Sequence, residues 1–420
     1  MPLPPASLDL ELVTIGTELL LGFTVDTNAA FIGQALASVG VRVTRRTSVP
    51  DDGGAIGAAV AEALSRAPLV MTVGGLGPTR DDLTKRVVAD LFGAPLRFDQ
   101  GIWDGLVARF ARLGRVPAAS NRSQAEVPEG AQVLPNARGT APGLWLSGGP
   151  GEVIMLPGVP SEMRGLMATG VLPRLRERTG GRGAVTTRIV RTTAIPESTL
   201  AERLDGVENG LRELTLGYAP GVEGVDLRLT SWGGKPEAAA ASLDRAEAQI
   251  RAAAGAHCYG TGEADLAAVL LDSCRRRGVS VAVAESCTGG LIGQRLTDVP
   301  GSSSVFRGGV IAYHNALKAS LLGVPEPILE AHGAVSEPVV RAMAVGAARV
   351  AGAEAAVSVS GIAGPEGGTD EKPVGTVWFG FLVGNRVETA RIVFPGSRTE
   401  VRARAAQYAL YGLWRLVEEV

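Results

Sequence analysis

Apolar and polar positions switch repeatedly between a two-residue and a 3.6-residue period, and the switching predicts three α/β segments. In the first, residues 1–175, Leu10-Glu-Leu-Val-Thr-Ile15 is an apolar strand that ends at Gly16. Asn28 to Val39 has helical periodicity and stops at Gly40, Val41-Arg-Val-Thr44 alternates as a strand, and Gly54 to Arg66 reads as a helix. Leu69-Val-Met-Thr-Val73 is a short continuous apolar run, as in a central parallel strand buried on both faces. Thr84 to Phe92 is helical, and short strands are expected near Trp145 and over Glu152 to Leu156. This order predicts a doubly wound α/β domain.

In the second segment, residues 176–260, Arg188 to Thr193 is a strand, and a helix opens at Pro196 with Ser198 as candidate cap. Leu214 to Tyr218 and Val225 to Ser231 read as paired strands, followed by an Ala-rich helix from Pro236 to Ala254 and a strand near His257 to Tyr259. The order βαββαβ suits a small split α/β module, expected to act as a spacer or packing domain. The third segment, residues 261–420, is a second complete α/β domain. Its helices are Leu266 to Arg277, one after a Gly-rich turn, Glu337 to Ala351 and a long one at the C-terminus. Its strands are Ser280 to Ala284, one within Val305 to His314, Ala355 to Ser360, Gly375 to Val383 and Thr389 to Phe394.

Composition narrows the classes. A chain of 420 residues exceeds what one core usually holds, and 45% apolar against 20% charged residues excludes a mostly disordered chain. With 41 basic and 43 acidic residues, a net charge of −2 and no basic stripe, nucleic acid is disfavoured as a partner. No run of about 18 apolar residues could span a bilayer. The opening Met1-Pro-Leu-Pro-Pro-Ala-Ser-Leu lacks the basic and apolar regions of a signal peptide, so a cytoplasmic protein without membrane contact is expected. Cys258, Cys274 and Cys287 form no Cys-x-x-Cys, which argues against a disulfide framework and a thiolate zinc site. His257, His314 and His332 show no metal-ligand spacing, so any metal should be a hard cation on carboxylates and water. A Ser-His-Asp triad is short of candidates for the same reason. Lysine occurs only at 85, 235, 318 and 372. A buried lysine can act as a base where arginine cannot; Lys235 and Lys372 read as solvated loop residues.

Two regions carry candidate chemistry. Strand 69–73 runs into Gly74-Gly75-Leu-Gly77-Pro-Thr79-Arg-Asp81-Asp82-Leu-Thr-Lys85. Glycines at the carboxyl end of a parallel strand let backbone N–H groups approach a phosphate. Asp81 and Asp82 fit helix capping as well as a divalent cation bridging that phosphate. Further polar, Gly-containing loops contain Glu18, Asn28, Asn121, Asn136 and Glu162, which together read as a pocket. In the third segment, the strand ending at Ala284 leads to Glu-Ser286-Cys-Thr288-Gly289-Gly290. Such a turn suits either a helix cap or a hydroxyl presented beside N–H groups that hold a phosphate or an oxyanion. Ser302-Ser303-Ser304 and Tyr313-His-Asn-Ala-Leu-Lys318 follow. A lysine desolvated beside a hydroxyl can activate it without histidine. His314 is expected to orient or pack, and Cys287 to pack. Arg398 and Arg402 could bind a phosphate or lie on a solvated helix face.

Long motifs in both regions resemble the CinA (competence/damage-inducible) family. Gly-Thr-Glu-Leu-Leu-Leu-Gly, Gly-Gly-Leu-Gly-Pro-Thr-Arg-Asp-Asp-Leu-Thr, Gly-Thr-Ala-Pro-Gly and Leu-Pro-Gly-Val-Pro-Ser-Glu-Met resemble its N-terminal molybdopterin-binding-like domain. That likeness implies ADP-ribose pyrophosphatase activity, with a divalent ion of the Mg, Mn or Co class on Asp81 and Asp82. Gly74, Gly75, Gly77, Thr79 and Asn28 would line the diphosphate site. Ala-Glu-Ser-Cys-Thr-Gly-Gly, His-Gly-Ala-Val-Ser-Glu-Pro, Ser-Gly-Ile-Ala-Gly-Pro and Lys-Pro-Val-Gly-Thr-Val resemble its C-terminal nicotinamide-nucleotide amidohydrolase domain. That likeness implies deamidation of nicotinamide mononucleotide (NMN) to nicotinate mononucleotide and ammonia, with no cofactor. Ser286, Ser303, Tyr313 and Lys318 would form the catalytic cluster, with Ser303 preferred as nucleophile and Ser360 and Gly361 lining the site. Thr288, Gly289 and Gly290 would hold phosphate or oxyanion. The expected protein is a homodimeric, bifunctional salvage enzyme. Its rivals are a DNA-uptake or repair accessory protein and a pterin-binding module.

Overall fold

The computed structural model describes residues 8–232 and 236–419; the opening segment and Lys235 lie outside them. The described residues form two compact units. One contains the chain up to Thr186 and those within Ser231–Ala241; the other contains Thr187–Thr230 and the chain from Ser242.

In the first unit, β1 (Leu8–Ile15), β2 (Val41–Val49) and β3 (Leu69–Val73) are parallel. A separate two-stranded ribbon joins β4 (Leu96–Phe98) to β5 (Glu126–Pro128). β6 (Gln132–Leu134), β7 (Gly143–Gly148) and β8 (Gly151–Leu156) complete the main sheet in the order β2-β1-β3-β8-β7-β6. β8 is parallel to β3, while β7 and β6 form an antiparallel edge. The two-residue period decides the cores. Leu10, Leu12 and Met71 pack with Ile32 and Leu36 of helix Thr27–Ala37. Val13, Val70 and Val153 pack with Ile56 and Val60 of helix Gly53–Arg66 on the other face. Asp26 and Asp52 start these helices by accepting from Ala29 N and Ala55 N. The strand order reverses beside β1, which places a crevice at the carboxyl ends of β1 and β3.

Two further sheets lie in the second unit, apart from the first two residues of β9 and the last two of β11. β9 (Val185–Thr192), β10 (Leu214–Pro220), β11 (Val225–Trp232) and β12 (Cys258–Thr261) follow the order β10-β11-β9-β12. Leu200 and Leu204 from helix Glu197–Glu208 pack on Val190, Leu227 and Leu229. This helix begins at Glu197 with Pro196 at the cap position, so Ser198 lies inside the first turn and does not cap it. The second sheet runs β14-β13-β15-β16-β17, formed from β13 (Val281–Glu285), β14 (Phe306–Ile311), β15 (Ala355–Gly361), β16 (Thr376–Val383) and β17 (Arg386–Val393). β14, β13 and β15 are parallel; β16 and β17 are antiparallel. Helices Leu266–Arg277 and Arg398–Glu418 cover one face, and Glu337–Ala351 the other. No helix among the described residues is long and apolar enough to cross a membrane.

Candidate functional sites

Three adjacent parallel strands end on one edge of the second sheet, and their ends converge. Ser286 follows β13, Tyr313 follows β14, and Ser360 lies in the last turn of β15. With Lys318, Asn315, Ala334 and Arg398 they line a cavity of 180 Å³. Lys318 sits on helix Asn315–Ser320 and is 1% exposed. Its Nζ lies 3.2 Å from Ser286 Oγ and donates to the carbonyls of Ala312 at 2.8 Å and Tyr313 at 3.2 Å. No carboxylate is among these partners. Burial therefore pushes the amine below the ordinary lysine value, against a smaller opposing pull from Cys287. A neutral amine has two N–H groups and one lone pair. The carbonyls take the two donors, which leaves the lone pair for the Ser286 hydroxyl.

The surrounding residues fix this pair. Ser286 N donates to Val359 O at 2.9 Å, and Ser360 Oγ donates to Ala334 O at 2.7 Å. Tyr313 is 62% exposed at the mouth, where its hydroxyl accepts from Arg398; the same guanidinium donates to Gly364 O. His314 caps the lysine helix by accepting from Ala316 N through Nδ1. Cys287 is buried, and burial pushes its thiol up to about 12, which makes it an inert packing group. Lys372 donates to His332 O and is only half-exposed.

Two of the expected groups lie differently from their neighbours here. Ser303 is exposed on the turn before β14, beyond the point where Phe306 pairs with Val281. Ser286 lies past the other end of the same pairing, so the strand length separates the two serines by roughly 16 Å or more. Within this chain the serine beside Lys318 is Ser286, not the Ser303 preferred from the sequence. In the turn after Ser286, Gly289 N and Gly290 N already have acceptors, while Thr288 Oγ1 is buried without a hydrogen-bond partner. The buried Glu285 carboxylate accepts from Gly290 N, Ile292 N and Gly293 N at 2.8–3.2 Å, and Gly289 N donates to Ser286 O. Arg402 holds the outer side by donating to the carbonyls of Cys287 and Thr288. Of the two candidate arginines, it is Arg398 that lines the cavity.

Sequence reading missed Glu285, although a carboxylate at the end of an apolar core strand was the available signal. Its removal leaves several buried N–H groups without an acceptor. Glu285→Ala should therefore cost about 3 kcal/mol, with Glu285→Gln losing less. Urea denaturation checks this, and an unchanged midpoint would rule out the capping role.

In the first unit, the Gly-rich loop crosses the end of β1. Gly74 has φ 111° and Gly75 φ 69°. A Cβ on Gly74 would lie 2.3 Å from Ile15 O, and one on Gly75 would lie 2.1 Å from Thr84 Oγ1. Only glycine lets the loop pass there. Helix Thr84–Leu91 has Leu83 at its cap position with no side-chain bond, so neither aspartate caps it. Asp82 instead accepts from Thr79 N at 2.8 Å and from the Thr79 hydroxyl, beside Gly77, while Asp81 is exposed. Asn28 donates to Gly158 O at 2.7 Å, and its Oδ1 is buried without a hydrogen-bond partner. Asp51 holds the loop after β1 through Thr17. Lys85 donates to Ser123 O, and burial pushes it down to about 8. Sequence reading gave neither Asp51 nor Lys85 a role.

Among the described residues no three His, Cys, Asp or Glu side chains gather as a metal cluster. Two neighbouring carboxylates suit an ion of the Mg class that takes its other oxygens from water and a bound diphosphate. Asp81 and Asp82 would supply only part of such an ion's shell, and one Asp82 oxygen is already held by Thr79.

Residues 11–177 match the probable molybdopterin binding domain, 187–260 the damage-inducible protein CinA KH domain, and 263–417 the CinA C-terminal domain. The chain is 50% identical over 411 residues to a CinA-like protein of Gemmatimonas aurantiaca, covering 97% of this chain and 96% of that one. It is 45% identical over 413 residues to a putative competence-damage inducible protein of Symbiobacterium thermophilum, covering 95% and 96%. A solved CinA superfamily protein from Klebsiella pneumoniae is 35% identical, covering 37% of this chain and 97% of that one with a TM-score of 0.36. Identity of 50% and 45% to curated relatives across almost the whole of both chains makes this protein a member of the CinA family, with a molybdopterin-binding-like domain ahead of its KH and CinA C-terminal domains.

Proposed function

We propose that the C-terminal domain hydrolyses the carboxamide of NMN, with Ser286 as nucleophile and Lys318 as its base. The observation that carries this reading is the buried lysine 3.2 Å from Ser286 Oγ with no carboxylate partner. Neutral Lys318 accepts the hydroxyl proton as Oγ bonds to the amide carbon. The lysine then gives that proton to the amide nitrogen, the C–N bond breaks, and ammonia leaves. Water attacks the resulting ester, again losing a proton to Lys318, which returns it to Ser286 Oγ as nicotinate mononucleotide is released. Arg398, at the mouth beside Tyr313, would meet the phosphate. The decisive assay is ammonia release from NMN in the presence of EDTA.

For the N-terminal domain we propose metal-dependent hydrolysis of the ADP-ribose diphosphate. The unpartnered Asn28 Oδ1 and the glycine loop at the sheet's switch point support this. Asp81 and Asp82 would hold the ion, which polarises the diphosphate and lowers the pKa of attacking water. The Gly74–Gly77 backbone and Thr79 would position the substrate. EDTA should abolish ADP-ribose hydrolysis and leave ammonia release intact. Asp81→Asn and Asp82→Asn should each reduce the diphosphate reaction about 10²-fold or more. Equal activity with and without EDTA would end this assignment. The working form on this reading is a cytoplasmic homodimer that serves pyridine-nucleotide salvage.

A further inference from the structure

A second cavity lies within the second unit, where the KH module meets the C-terminal sheet. It measures 540 Å³, against 180 Å³ for the serine site. Ile195, Val222, Ile392, Phe394 and Tyr408 make its walls largely apolar, and Arg404 also lines it. Neither proposed reaction uses any of these residues.

Three observations indicate a built site. Arg404 Nε is buried and has no hydrogen-bond partner. A buried guanidinium N–H is costly to leave unpaired, and an anion is its natural complement. Phe394 and Tyr408 form an edge-on aromatic corner, with ring centroids 6.3 Å apart and planes at 65°. Such a corner accepts another flat ring. The walls are also pinned: Gln407 donates to Thr193 Oγ1 and accepts from Arg295. Beside Thr193, Ala194 has φ 56°, the only positive value at a non-glycine among the described residues. That strain is held in place at the cavity wall. Glu223, at the rim, faces Arg295 at 3.6 Å.

We propose that this cavity binds a planar aromatic carboxylate, its ring against Phe394 and Tyr408 and its carboxylate on Arg404. The probe is 2-naphthoate, titrated calorimetrically into the full-length protein, with the uncharged 2-naphthylmethanol as control. Saturable binding of one naphthoate per chain is expected, with the alcohol at least about tenfold weaker. Arg404→Gln should weaken naphthoate about tenfold, and Val222→Trp, at the rim, should block it by filling space. Arg398→Gln should leave it unchanged, which separates this cavity from the serine site. Thermal unfolding confirms that each variant is folded. No saturable binding, equal binding of the alcohol, or insensitivity to both cavity variants would overturn the proposal; so would dependence on Arg398.

Discussion

Replacing Lys318 by Met is expected to leave a folded protein whose NMN deamidation falls by about 10³-fold or more, the scale at which losing a general base disables a hydroxyl nucleophile. Methionine fills the volume without a proton acceptor. The variant should unfold no earlier than wild type, because a buried amine with no carboxylate partner is replaced by an apolar chain. Lys318→Arg should be as inactive, since a guanidinium does not deprotonate in this pH range. The pH profile gives the sign. Lys318 must be neutral to act, and burial holds it below the ordinary lysine value of 10.5. Ammonia release should therefore rise with pH along a limb that levels off below 10.5 in wild type. A Lys318→Met variant retaining most activity would remove the lysine from the mechanism.

Ser286→Ala should cause a loss of the same size, while Ser303→Ala should stay within about threefold of wild type. The double variant Ser286→Ala with Lys318→Met should be no worse than either single variant, because the pair acts as one unit. Steady-state ammonia release from NMN measures all three. If Ser303→Ala were the inactive variant, the proposed nucleophile would be wrong.

Much of the fold was legible. Leu69–Val73, Leu266–Arg277 and Glu337–Ala351 begin and end where the apolar pattern places them, because burial on fixed faces writes a strong period. β2 runs on to Val49 past the predicted Thr44, because Thr44 to Arg46 are exposed and carry no burial signal. Helices Asn315–Ser320 and Glu326–His332 and the ribbon β4–β5 are too short to show a period. Lys318 stood out because lysine is scarce in this chain. Knowing which serine stands beside Lys318 needed strand direction. Ser303 precedes its strand and Ser286 follows its own, and ligands gather at the carboxyl ends of parallel strands. Glu285 stayed hidden because its three N–H partners come from the following turn, whose shape no spacing rule supplies.

That carboxylate bears on how the proposed reaction would finish. Glu285 neutralises the helix start from within, so the turn carries its own counter-charge before any substrate arrives. Beyond it, the reacting centre faces an uncharged hydroxyl and an amine that burial favours in its neutral form. Such an interior accepts an uncharged carboxamide readily and holds an ionised carboxylate poorly. Deamidation turns the first into the second. On the proposed reading, turnover would convert a group this interior holds well into one it holds less well away from Arg398, and so would favour release.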